Sequence, residues 1–310
     1  MANQVELKRA VEELEKATGL QMQVKADTPE EVETAYTQIR QLLGAYKEKY
    51  NKNYFLQNLM LGNLQETEVE DHAKKLHIST EDARVLFLIE TKSPVDDFLI
   101  ELLKNLFPSQ NKNYVVKMTQ HRLVLLLPSK CIEEEVYDES MATAHMMIDT
   151  VSAEAMSSIR VSFGRRIKNL SKLAEAYAEV GLAMKIGTTF YSEQLIIPYD
   201  QLGIGRLIYQ LPADLCYQFL HEVFKQKDTV GLEEEMQMTV SKFFQNNLNI
   251  AETSRQLHMH RNTLIYRIEQ LEKQTGLDIR VFEDALTFRI AMMVLNYVNA
   301  PMDQKAPMDK

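Results

Sequence analysis

The groups best placed to read a nucleic-acid edge lie close together near the carboxyl end of the sequence: Arg255, His260, Arg261, Asn262, Thr263, Tyr266 and Arg267. An Asn side chain pairs bidentately with an adenine edge, and an Arg with a guanine edge. The window Ser254–Arg267 contains no Asp or Glu, in a chain whose formal net charge is −9. That overall charge argues against loose coating of nucleic acid. It leaves room for a specific binder whose affinity depends on one local face and on salt.

The elements around these residues position them. Ile250–Leu257 reads as a helix, His258-Met259-His260 as a break, and Arg261–Thr275 as a second helix that Gly276 stops. Two helices joined in this way form a helix-turn-helix, which lays its second helix in the major groove. Leu264, Ile268 and Leu271 recur at i, i+4 and i+7 and make one buried stripe. Asn262, Tyr266 and Glu269 take the opposite face, with Thr263, Arg267 and Gln270 on its flanks. The exposed first turn is then Arg261-Asn262-Thr263, whose free N–H groups also suit a phosphate. An ordinary helical hairpin uses the same apolar spacing, and short patterns of this kind give false positives. The acid-free window favours DNA.

The run Leu257-His258-Met259-His260-Arg261-Asn262-Thr263-Leu264, followed by Tyr266-Arg267-Ile268, resembles the C-terminal helix-turn-helix of the PucR and CdaR type of bacterial transcription regulators. Gly276-Leu277-Asp278 and the closing apolar helix match as well. The resemblance implies a Fis-like domain that meets operator DNA through this helix. His258 stands where a turn glycine is common, and His is among the side chains that tolerate left-handed geometry. His260 takes the position where Ser or Thr is the usual N-cap. Ser254 is the small residue that lets the two helices approach.

Composition narrows the remaining classes. The chain has 310 residues, 45% apolar and 25% charged, enough for two or three domains of an ordinary globular protein. Cys131 and Cys216 are far apart and suggest neither a disulfide framework nor a zinc ribbon, which fits a reducing cytoplasm. The opening MANQVELKRAVEELEKA alternates charge and does not read as a signal peptide. No apolar run is long enough to span a bilayer. His258 and His260 lack a third ligand, so no zinc or other metal is expected, nor any cofactor. His145 and Asp149 read as a surface pair, Gly203-Ile204-Gly205 as too little for a phosphate loop, and Glu133-Glu134-Glu135 as a solvated helix start.

Along the chain, Val5–Ala17 reads as a helix with Val5, Leu7, Val11 and Leu14 near one face. Thr28-Pro29-Glu30-Glu31 starts a helix that runs to about Tyr50 on a stripe of Val32, Tyr36, Ile39 and Leu43. A third covers about Asn53–Leu61. These helices read either as a dimerisation element or as a plain cap on the next domain. Dimerisation is favoured because helix-turn-helix proteins read paired half-sites.

The stretch after them reads as one α/β unit. It has a short helix at Asp71–Leu76, a strand at Ala83–Thr91 and a helix at Val95–Phe107. A hairpin of Tyr114–Thr119 and Arg122–Leu127 comes next, then a helix at Glu133–Val151 and a strand at Ile159–Gly164. Last come a helix at Leu170–Ile186 closed by Gly187 and a short strand from Phe190-Tyr191. The order βαββαβαβ resembles the catalytic fold of diguanylate cyclases, which PucR-type regulators carry in degenerate form. The hairpin positions that would hold GGDEF are Thr119-Gln120-His121-Arg122-Leu123. The glycines are gone, and His121 and Arg122 replace the acidic pair. A cation there opposes Mg²⁺, so the unit is not expected to be a cyclase.

From Pro198 the pattern is helical. Tyr199-Asp200-Gln201-Leu202-Gly203 resembles the family's junction after the degenerate cyclase domain. Leu202–Leu211, Ala213–Gln226 and Leu232–Asn246 read as helices, and Glu283–Val298 as the closing one, on a stripe of Leu286, Ile290, Met293, Val294 and Tyr297. The fold expected is α+β and helix-rich, with a central GGDEF-like α/β sandwich and an all-α C-terminal helix-turn-helix domain. Residues 1–62 form an N-terminal helical segment, 63–198 the α/β domain, 199–299 the helical linker and DNA-binding domain, and 300–310 a disordered tail. The function expected is a cytoplasmic regulator that binds operator DNA as a homodimer and answers to a small molecule. Relatives that sense a sugar diacid or a purine metabolite carry a further sensor domain upstream, for which about 55 residues leave no room. The rivals are a nucleotide-handling protein and a scaffold that binds protein through its C-terminal helices.

Overall fold

The computed structural model describes residues 3–18, 20–108, 112–224 and 234–300. It divides into two compact units, residues 1–184 with 194–201, and residues 185–193 with 202–310. Among the described residues no helix is long and apolar enough to cross a membrane.

The first unit opens with a helical hairpin of α1 (Gln4–Thr18) and α2 (Pro29–Tyr50). Leu7, Ala10 and Leu14 pack with Val32, Ile39 and Leu43 in one apolar cluster. Val5, expected on the inner face, is exposed. Counting 3.6 residues per turn, the inner row runs 7, 10, 14 and leaves position 5 on the outside. The start of α2 is built as its sequence implies. The Glu31 backbone N–H donates to Thr28 Oγ1 at 3.3 Å, while Glu31 Oε2 accepts from the N–H of Asp27 at 2.9 Å and of Thr28 at 3.2 Å. Those backbone donors hold the Glu31 carboxyl below its ordinary 4.5.

After α3 (Lys52–Met60), α4 (Glu66–Lys75) starts earlier than Asp71. A capping box between Gln65 and Glu68 satisfies the first N–H groups there. The sheet contains β1 (Arg84–Thr91), β2 (Tyr114–Lys117), β3 (Arg122–Pro128), β4 (Ile159–Phe163) and β5 (Ile196–Pro198), in the order β2-β3-β1-β4-β5. All neighbours are antiparallel except the parallel pair β4 and β5. Alternation sends Phe87, Ile89, Leu123, Leu125, Val161 and Phe163 into one core with α5 (Asp97–Leu106) and α6 (Val136–Ala155). Ser162 points to the other face and donates to the Val180 carbonyl of α7 (Leu173–Phe190) at 2.8 Å. α3 packs against β2, with Phe55, Leu56, Leu59 and Met60 buried.

Two expectations are corrected around α7. Gly187 does not close it; the helix continues to Phe190, and the last strand begins at Ile196 instead of Phe190-Tyr191. Glycine only permits a stop. Here the Tyr191 N–H continues the ladder to the Gly187 carbonyl at 2.9 Å, and the hydroxyls of Thr188 and Thr189 both donate to the Lys185 carbonyl.

The second unit is helical: α8 (Ile204–Ile208), α9 (Ala213–Phe224), α10 (Glu234–Gln245), α11 (Ile250–Gln256), α12 (Arg261–Thr275) and α13 (Phe282–Asn299). α8 is shorter than Leu202–Leu211. The expected extension to Gln226, the start at Leu232 and the tail from 301 lie outside the described residues. The buried row of α13 is Ala285, Phe288, Ala291, Met293, Val294 and Tyr297, while Leu286 is 39% exposed. Several apolar rows exist on that helix, and packing against α9 selects the one through Ala285 and Phe288. Gly203 takes a left-handed φ of 52° at the start of α8. A Cβ at Gly205 would meet the side chains of Ile186, Phe190 and Tyr191 within 3.2 Å. This glycine pair serves chain reversal and close packing.

The depressed Glu31 carboxyl gives a pH test. Its stabilising contribution is fully present above the ordinary value of 4.5 and is lost as pH falls through the lower folded value. Urea melts of the native chain and of Glu31→Gln should differ at neutral pH and converge in acid.

Candidate nucleic-acid interface

The helix-turn-helix stands on two unusual reversals. At the end of α10, Asn247 and Leu248 both adopt left-handed geometry, φ 50° and 61°. The Leu248 N–H returns to the Phe243 carbonyl at 2.9 Å, and the Asn249 side chain then caps α11 through the Glu252 N–H at 3.1 Å. Thr253 and Ser254, the inner residues of α11, are buried, and their hydroxyls bond back to Asn249 and Ile250. Small side chains of this kind let α11 lie close to α12.

At the second reversal His258 has φ 51°, as its tolerance of left-handed geometry allows. His260 serves as the N-cap of α12: its Nδ1 accepts from the Asn262 N–H at 3.2 Å. The ring proton then sits on Nε2 in the neutral form. Gly276, at φ 80°, ends the helix, and its N–H donates to the Glu272 carbonyl at 2.7 Å.

Leu264, Ile268 and Leu271 are 0%, 1% and 0% exposed and join Val240, Phe243, Ile279, Ala285 and Phe288 in one core. That packing fixes which side of α12 faces out. His260, Arg261, Asn262 and Thr263 are exposed, as is Tyr266 one turn further on. Arg255 is exposed on α11 and ion-paired with Glu252. Six of the seven sequence candidates are therefore exposed.

Arg267 departs from its expected place. Its side chain is 21% exposed and turned back onto α10, where Nη1 donates to Thr239 Oγ1 at 3.0 Å and Nη2 pairs with Glu235. The helical spacing put Arg267 on a flank. It held no information that α10 runs along that flank with an acceptor and a carboxylate. Another brace was not anticipated: Arg280 bonds Asp278 at 2.7 Å and Glu272 at 2.9 Å, and lies 3.9 Å from Glu269. The two outward carboxylates at the end of α12 are thereby met by a cation. The same contact holds the Asp278 carboxyl below its usual range and raises the Arg280 guanidinium.

In the first unit, the Thr119–Leu123 hairpin is held by backbone bonds. The Arg122 carbonyl accepts from Met118 and Thr119, the His121 carbonyl from Thr91, and the Gln120 carbonyl from Val95. Arg122, where the resemblance to cyclases places an acidic residue, makes two hydrogen bonds to Glu90 of β1, at 2.7 and 2.9 Å. The Glu90 carboxylate is thus engaged by a cation of the protein itself. Among the described residues no group of three or more His, Cys, Asp or Glu is arranged to hold a metal.

A mixed five-stranded sheet with its helices, followed by a helical domain with an exposed second helix, defines a class: an α/β domain joined to a helix-turn-helix. Comparison with known families agrees. Residues 61–186 match the GGDEF-like domain, and residues 237–294 match the PucR C-terminal helix-turn-helix domain. These two domain matches are consistent with a regulator of the PucR/CdaR type. The chain is 24% identical over 244 residues to the carbohydrate diacid regulator of Escherichia coli, a match covering 76% of this chain and 63% of that protein. It is 23% identical to the purine catabolism regulatory protein of Bacillus subtilis, over 48% of this chain and 28% of the relative. Against the proline-responsive transcriptional activator PutR of Bacillus subtilis the identity is 26%, over 44% of this chain and 34% of the relative. The matches thus span less than two thirds of each of these relatives.

Because Arg267 bridges α10 and α12, Arg267→Ala should lower the stability of the second unit by about 1 kcal/mol, a value discounted for the solvent around Glu235. A double-mutant cycle with Glu235→Gln in urea unfolding should show coupling between the two sites. Additive losses would mean that the pair contributes nothing.

Proposed function

We propose that this chain is a cytoplasmic, sequence-specific DNA-binding transcription regulator that acts as a homodimer and responds to a small molecule. The observation that carries the reading is the open first turn of α12. His260, Arg261, Asn262 and Thr263 are all exposed there, on a helix whose other side is locked into the core. The three relatives, two regulators and one transcriptional activator, support it.

In this reading Asn262 reads a base edge, and Arg261 and Thr263 flank it. The first-turn N–H groups meet a phosphate. Arg255 and Tyr266 border the contact, and Arg267 positions α12 from behind. Residues 63–198 form the GGDEF-like part, 199–299 the linker and DNA-binding part, and the helices before residue 62 are the first candidate for the dimer contact. Two copies would place their α12 helices in half-sites about 34–36 Å apart.

The base-reading role is tested by fluorescence anisotropy on cognate and scrambled duplexes over a salt series. Asn262→Ala should lose roughly 1–3 kcal/mol on the cognate site and little on scrambled DNA. An unchanged cognate-to-scrambled ratio would place the base-reading face elsewhere. Arg267→Ala should leave the salt slope unchanged, since its guanidinium is engaged within the domain.

The GGDEF-like part is proposed to be catalytically silent, because Arg122 occupies a metal-ligand position and is bound to Glu90. Incubation of the full chain with GTP and Mg²⁺ or Mn²⁺, followed by chromatography, should yield no cyclic dinucleotide. Product formed in proportion to protein would overturn this.

A further inference from the structure

The first unit contains a cleft of about 230 Å³ at the carboxyl ends of its two parallel strands. Phe163 and Pro198 end β4 and β5 in register, and the chain leaves them through Gly164-Arg165-Arg166 and Tyr199-Asp200. The start of α6 supplies the remaining wall through Val136, Tyr137 and Ser140. The register sets Ile159 of β4 beside Thr91, whose N–H bonds the His121 carbonyl. The cleft therefore opens at the end of the sheet away from the Thr119–Leu123 hairpin. In open α/β sheets the carboxyl ends of parallel strands are where ligands bind.

Two of the residues lining this cleft each have an unspent polar group. Ser140 is 1% exposed, and its Oγ is buried without a hydrogen-bond partner among the described residues. Arg166 donates through Nη1 to the Cys131 carbonyl and through Nη2 to Glu133, which leaves its buried Nε–H unmade. Buried donors are rarely left unmade in folded proteins, since their desolvation is then uncompensated. Both groups can donate, so both call for an acceptor. The acidic members of the lining do not oppose one. Glu133 is paired with Arg166 and lies 3.7 Å from Lys168, and Asp200 is paired with Arg165 at 2.7 Å. Arg166 first, and Lys168 after it, hold the Glu133 carboxyl below its ordinary value. The rest of the lining is flat and apolar. The Tyr137 and Phe163 rings lie 6.0 Å apart, and the Arg165 guanidinium lies 5.8 Å from the Tyr199 ring centre.

We propose that this cleft binds a compact carboxylate with a flat apolar body. The carboxylate accepts from the Ser140 hydroxyl and Arg166 Nε–H, and the body packs among Tyr137, Phe163 and Tyr199. The volume, below the roughly 300–1,000 Å³ of pockets for drug-sized ligands, fits a small metabolite. To call that ligand the effector rests on the DNA-binding reading above; the binding itself does not, and its test contains no DNA.

The probe is benzoate, with benzyl alcohol as its uncharged counterpart, read by saturation-transfer NMR and chemical-shift titration on the full chain. Benzoate should bind in the millimolar range and benzyl alcohol much more weakly. Ser140→Ala removes one hydroxyl from an intact helix and should weaken benzoate about threefold or more. Arg165→Glu changes a side chain that is 62% exposed and reverses the charge beside the cleft; it should also weaken benzoate. Circular dichroism checks the fold of both variants. The proposal is overturned if benzoate shows no transfer at millimolar concentration, or if benzyl alcohol binds equally well. It is also overturned if neither folded variant changes the benzoate affinity, as binding elsewhere would give. Loss of DNA binding in a separate assay would leave this result untouched, so the two readings fail independently.

Discussion

The C-terminal domain depends on one packing contact, the row Leu264, Ile268 and Leu271 against Phe243 and Phe288. A helix has a single circumference, so burying this row decides what remains for solvent. It sets Arg261, Asn262 and Thr263 outward at the first turn and turns Arg267 back against α10. The row also needs α11 to come close. That explains why Thr253 and Ser254 line the near side of α11, where larger residues would push α12 and its exposed turn out of place. Truncating a side chain in such a row costs about 2–5 kcal/mol, so functional and structural losses on α12 must be separated by a fold measurement.

The GGDEF-like domain rests on its sheet and on two ends that treat their polar groups differently. The sheet order and the core of Phe87, Ile89, Leu125 and Val161 carry the architecture. At the hairpin, Arg122 satisfies Glu90, so a carboxylate that would be costly when left alone in a half-buried place is neutralised. At the opposite end of the sheet, the polar groups around Ser140 and Arg166 remain incompletely satisfied. Polar groups are seldom kept in that condition by packing needs alone.

Much of this molecule could be read locally. The elements of the βαββαβαβ order up to the last helix lie near their expected places, because apolar period and turn residues act within a few positions. The cap by His260, the left-handed His258 and the stop at Gly276 are of the same kind, since each bond spans at most four residues. The errors came where a neighbour along the chain does not decide. Gly187 allows a stop but does not impose one. On α13 the choice between a row through Leu286 and one through Ala285 and Phe288 belongs to the helices packed against it.

The sequence by itself determined the class: a two-part chain with a degenerate cyclase-like hairpin and a second helix whose polar turn stands opposite an apolar stripe. These features arise from dihedral preference and periodicity, which act over one or two turns of chain. Tertiary structure alone decided the use of the charged side chains. Arg267 meets Glu235 and Thr239 across 32 and 28 residues, Arg122 meets Glu90 across 32, and Arg166 meets Glu133 across 33. A long flexible cation reaches whichever carboxylate the fold brings within a few ångströms, and no spacing rule in the sequence encodes that distance.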